Sequence, residues 1–142
     1  TSIRIVATRN GTEKFRQDYD DPSKILPATL TFKSESDDDF DSPVLIRIEG
    51  RSDRSGVPII SRQARLGFVE EKVKLLRMPL RGDCLNVTCT KPGTSCERGT
   101  CVSDGVDANS LPDFTNTADA LDGAGGTAGS AGAGGSAGAG GR

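Results

Sequence analysis

The sequence contains no histidine. A serine or cysteine nucleophile therefore has no imidazole to activate it. A zinc site would have to be built without one of its commonest ligands. There is no tryptophan, one tyrosine and five phenylalanines, so aromatic content is only 4%. Hydrophobic residues make up 34% of the 142, thin for a core serving the whole chain. The folded part is therefore expected to be small, and small domains often need covalent staples. No apolar run approaches the roughly 18 residues of a membrane helix, and no signal peptide is visible. Neither phosphate-cradling pattern, GxxxxGK[ST] or GxGxxG, is present. Lysine and arginine number 18 against 20 aspartate and glutamate, a net charge of −2, so no global basic field points to nucleic acid. A carboxylate pair could still work as acid and base, but nothing in the sequence places two across a cleft. On this inventory no enzymatic activity and no cofactor are expected.

What is present is concentrated between Cys84 and Cys101. The run CLNVTCTKPGTSCERGTC holds all four cysteines in the spacing C-x4-C-x6-C-x4-C. An even number of clustered cysteines in a short chain implies disulfides. Pro92-Gly93 and Arg98-Gly99 are turn signals that bring sulfurs together. Such bridges persist in oxidising compartments, so the protein is expected to be exported. Four cysteines allow three connectivities. The interleaved one, Cys84–Cys96 with Cys89–Cys101, folds the segment into one compact knot and is similar to the first half of an epidermal-growth-factor-like module. The interleaved pairing is therefore the expected one, although a hairpin turning at Arg98-Gly99 would instead put Cys96 opposite Cys101, and one sequence does not settle between them.

The region before the cysteines alternates with period two. Thr1 to Thr8 reads as a strand, Asn10-Gly11 as a tight hairpin turn, and Glu13 to Tyr19 as the return strand. Further strands are expected at Ala28–Lys33, Val44–Glu49, Ile59–Phe68 and Val73–Leu80. Arg62 interrupts the apolar phase of the fifth, so a bulge or strand end is expected there. Short strands at regular spacing with no convincing helix predict an all-β fold, a small antiparallel β-sandwich of the immunoglobulin-like or transthyretin-like class. The expected organisation is a β-module over residues 1–82, a cysteine-rich appendix with polar loop over 83–114, and a disordered Gly/Ala/Ser-rich linker over 115–142. Because the chain begins with Thr, it reads as a mature form or a fragment.

Three groups of residues are candidates for a site. Cys84, Cys89, Cys96 and Cys101 are the disulfide residues. Asp37, Asp39 and Asp41 lie in an acidic loop and are calcium candidates, although Ser42 and Ile48 stand where an EF-hand loop needs glycine and glutamate. Otherwise the loop is a solvated acidic run, and no other metal site is read. Arg81-Gly82-Asp83 is an RGD tripeptide of the kind that animal adhesion receptors bind in constrained loops; the plainer reading is a polar turn.

The run VLIRIEG…ARLGFVEEKVKLLRMPL…C-x4-C-x6-C-x4-C…VDANSLPDF, spanning about Val44 to Phe114, resembles a group of exported proteins of myxobacterial type. The most specific part is CLNVTCTKPGTSCERGTCV with LPDF downstream. The resemblance implies secretion or a cell-envelope location, as lipoproteins or multi-module surface proteins, and brings no catalytic residues with it. This chain has no lipid-attachment cysteine near its start. The expected function is a non-enzymatic, exported or cell-surface module with a binding or structural role, its partner a surface polysaccharide or an envelope protein. The alternative is an accessory domain of a larger exported enzyme.

Overall fold

A computed structural model describes residues 1–24, 26–27, 30–32, 42–52 and 56–116. The strands are antiparallel. Strands β1 (Ser2–Arg9), β2 (Thr12–Tyr19), β3 (Val44–Arg51) and β4 (Pro58–Leu66) form one sheet in the order β2-β1-β3-β4, while β5 (Thr94–Glu97) and β6 (Thr100–Ser103) form a separate hairpin. Among the described residues the only helical elements are three-residue 3-10 turns, and none is long and apolar enough to cross a membrane.

Alternation in the sequence builds the large sheet. Asn10 and Gly11 take φ of 49° and 74°, the mirror-image turn whose twist matches two flanking strands. One face carries Ile3, Ile5, Ala7, Val44, Ile46 and Ala64, all buried. That face is covered by irregular chain: Phe32, Phe68, Leu76 and Met78 pack against Ala7, Val44 and Ile46. At the sheet margin the Phe15 and Phe32 rings meet edge to face, 5.4 Å between centroids, an arrangement that suits the aromatic quadrupole.

Several expectations take a different form. Residues 30–32 lie outside any strand, and 28, 29 and 33 are not among the described residues. The span Val73–Leu80 is not a strand; its backbone makes one isolated bridge, Lys74 to Asp113. Leu75 N–H donates to Pro112 O and Phe114 N–H to Val73 O. The apolar residues expected to alternate in a sixth strand instead lie as a cover over the sheet. Arg62 causes no bulge, because Glu97 of β5 receives its guanidinium at 3.3 Å. The register shift lies at Gly50/Arg51. Among the described residues the strands are thus antiparallel, in one four-stranded and one two-stranded sheet.

Gly50 marks the tightest approach in the core. A Cβ there would stand 2.6 Å from Ile60 Cγ2 and 3.8 Å from Leu80 Cδ1. Ile60 is β-branched and stiff at χ1, so it cannot easily swing away. Gly50→Ala is predicted to destabilise the fold by roughly 1–3 kcal/mol, read as a lower denaturant midpoint. An unchanged midpoint would show that Ile60 yields freely.

Candidate functional site

The cysteine segment is a clip on the free edge of β4. Its bonds are Cys84–Cys96 and Cys89–Cys101, with Cα separations of 5.8 and 5.7 Å, inside the range a disulfide needs. Arg98 and Gly99, at φ of 51° and 76°, turn the hairpin and set Cys96 directly opposite Cys101. Yet each bonds a cysteine twelve residues earlier. Cys84 and Cys96 are buried, whereas Cys101 is exposed.

Edge strands leave backbone donors and acceptors open to water. Here the clip fills them. Gln63 N–H donates to Ser95 Oγ at 2.8 Å, and Arg65 N–H donates to Asp104 O at 2.7 Å. Val106 N–H donates to Arg65 O, and Asn86 N–H to Ile59 O. Asp104 is the buried centre of this junction. Its carboxylate accepts from Gln63 Nε2 at 2.6 Å and lies 3.5 Å from an Arg65 nitrogen.

The RGD tripeptide sits where the chain enters the clip. Gly82–Cys84 is a 3-10 turn, closed by Cys84 N–H donating to Arg81 O. Arg81 Nε lies 3.5 Å from Asp83 Oδ2, so the two charges face one another. The Asp83 backbone abuts the Gly99 turn, its oxygen 3.3 Å from the place a Gly99 Cβ would take. Asp37, Asp39 and Asp41 lie outside the described residues. Among the described residues no three histidine, cysteine or acidic side chains converge as a metal site would require.

A second surface lies on the open face of the sheet, opposite the core. Alternation that sends Ile3, Ile5 and Ala7 inward sends Arg4, Val6 and Thr8 outward, and the register sets Glu49, Arg4 and Asp18 side by side across three strands. Arg4 donates to both oxygens of Asp18, at 2.6 and 3.2 Å. Arg16 does the same to Glu13, its shortest contact 2.6 Å. Glu49 lies 3.1 Å from Arg51 and 3.9 Å from Arg47, whose guanidinium also donates to Gln63 Oε1. These four arginines line a shallow trough of about 300 Å³ together with Glu13, Glu49, Thr8, Val6 and Leu45. The hydrogen bond from Arg4 holds the Asp18 carboxyl below its usual range and raises Arg4 in return. A hydrogen bond from Lys74 likewise lowers Asp113, and one from Lys24 lowers Asp21.

The convergence of four arginines was not read from the sequence. The signal available was that Arg4, Arg16, Arg47 and Arg51 all occupy outward positions; what brings them together is the strand order. Comparison with protein-family models, characterised proteins and solved structures returns no match.

Proposed function

We propose that this chain is a non-enzymatic, exported β-module that binds an acidic polymer of the cell surface through the arginine face of its sheet. The observation that carries the reading is the trough lined by Arg4, Arg16, Arg47 and Arg51, four cations against the two carboxylates Glu13 and Glu49. A guanidinium engaged by one carboxylate keeps further N–H donors in a planar fork suited to another. An open, shallow trough with repeated cations suits a chain of anionic groups, such as a uronate polysaccharide, better than one enclosed small molecule. Two disulfides fit an oxidising compartment, the basis for export, and the resemblance to exported proteins of myxobacterial type points the same way. In this reading residues 30–32 and 67–80 stand in the place of a sandwich's second layer, and residues 115–142 tether the module to another module or an anchor.

Calorimetric titration with a uronate-bearing polysaccharide and with a neutral glucan tests the proposal. The acidic polymer should bind and the neutral one should not, and added salt should weaken binding by screening. The double substitution Arg47→Ala with Arg51→Ala should weaken it about tenfold or more. Equal binding of both polymers, or none of either, would reject the reading.

A further inference from the structure

We infer that β2 is the contact by which two copies of this chain join, edge to edge and antiparallel, into one continuous eight-stranded sheet. The two ends of the sheet are treated differently. The β4 edge is filled by the clip, while β2 ends the sheet with no strand beside it among the described residues. Most of its side chains are exposed. Such an edge is a template for another strand unless its side chains forbid pairing.

The side chains of β2 forbid most partners and match one. The run Lys14 to Asp20 reads KFRQDYD, which is complementary to itself when reversed about Gln17; its regular strand part is Phe15 to Tyr19, with Lys14 the residue skipped at the bulge and Asp20 the bend just past the strand. In that register Lys14 faces Asp20, Phe15 faces Tyr19, Arg16 faces Asp18, and Gln17 faces itself, each pair occurring twice. A two-residue slip one way sets Arg16 against Arg16; a two-residue slip the other way sets Asp18 against Asp18. A one-residue slip pairs no opposite charges within the segment and turns core-facing residues outward. Only the register about Gln17 pairs every charge from Lys14 to Asp20 with its opposite. Like charges directly opposite destabilise a strand pair, and opposite charges and aromatic pairs stabilise it. The next pair outward, Glu13 and Asp21, is like-charged; Asp21 is held by Lys24, while Glu13 shares its own Arg16 with Asp18 of the second copy. Both also lie beyond the regular strand part, Glu13 on the far side of the bulge at Ala7/Thr8 and Asp21 at the turn after β2.

The faces also agree. Phe15 and Tyr19 lie opposite Ala7 and Ile3 on the core side, so their pairing extends the apolar layer across the junction. Arg16 and Asp18 lie on the open side, where the row Glu49–Arg4–Asp18 already alternates in sign. The second copy continues it with Arg16. This symmetric contact is isologous and closes at two copies. It does not depend on what the arginine trough binds.

The test is sedimentation equilibrium of the full chain up to about 1 mM, the range where a small interface of this kind associates. A monomer–dimer equilibrium is expected. Arg16→Asp and Asp18→Arg should each raise the dimer dissociation constant about tenfold or more. Mixed one to one they should form a heterodimer, because Arg16→Asp presents two acids to the two bases of Asp18→Arg. That recovery separates loss of contact from loss of fold. Independently, Gln17→Cys should cross-link to a second copy under mild oxidation, since the two-fold passes between the Gln17 side chains; Arg16→Cys should not. A chain that stays monomeric at about 1 mM overturns the inference. So does a dimer that both charge reversals leave intact. Native-state amide exchange distinguishes the other occupants: slow exchange in the monomer at the alternate β2 amides that do not bond to β1 would assign the edge to another segment of this chain, and slowing of those amides only by an added extended peptide would assign it to a foreign strand.

Discussion

Reduction of the two disulfides is expected to lower the melting temperature by about 15–30 °C. Each bond closes a loop across a sequence separation of twelve residues, which contributes roughly 2–4 kcal/mol by restricting the unfolded chain. A domain of this size has only about 5–15 kcal/mol in total, and 1 kcal/mol moves its midpoint about 4–8 °C. The two loops overlap, so the second bond adds less than the first. Removing both also releases the clip, and the β4 groups at Gln63, Arg65 and Ile59 return to water. The two bonds should differ. Cys84 and Cys96 are each only 4% exposed, whereas Cys101 is open to solvent. Thiol access governs exchange, so Cys89–Cys101 should reduce first. Replacing Cys84 and Cys96 together by serine should also cost more, because it leaves hydroxyls in a buried place. Thermal scans with and without reductant check this. A midpoint that moves by less than about 2 °C would mean that the clip contributes nothing to the sheet.

Asp104→Ala is expected to destabilise the protein by roughly 1–3 kcal/mol, the cost of leaving a buried polar partner unsatisfied. Asp104 is 4% exposed. It ties three elements at one point: its main chain joins Gly93 and Arg65, and its carboxylate takes the Gln63 amide. The alanine variant keeps the main-chain bonds and loses the side-chain one. Gln63 Nε2 then retains only the longer contact to Thr94 O, 3.3 Å. Arg65 is half exposed and can turn to water, which keeps the loss within this range. Asp104→Asn should recover part of it, since an amide oxygen can still accept. Denaturant titration of both variants provides the measurement; equal stability of Asp104→Ala and the parent would remove Asp104 from the junction.

The strands that were legible in the sequence are those where alternation and a turn coincide. β1 and β2 flank Asn10-Gly11, and β3 and β4 carry apolar residues every second position. Where alternation had no partner to read, it misled. Leu76, Met78 and Leu80 alternate as a strand would, but they alternate because the segment crosses an apolar sheet as cover. Period two records burial of one side and says nothing about hydrogen-bonded neighbours. Arg62 misled for the opposite reason. A charge in the apolar phase read as a break, because its partner Glu97 lies 35 residues away. The cysteines announced a disulfide segment but left its pairing open, since the β5–β6 turn favours Cys96 opposite Cys101 and the bonds reach elsewhere. The arginine trough needed the strand order, which no single strand carries.

The central claim is that two specific disulfides clip the free edge of the sheet. The measurement that tests it most directly is peptide mapping of protein recovered from the producing cells, alkylated at once and cleaved between successive cysteines without reductant. The account predicts no alkylated cysteine, one linked pair joining Cys84 to Cys96 and one joining Cys89 to Cys101. Four alkylated cysteines, or a Cys96–Cys101 link across the hairpin, would contradict it.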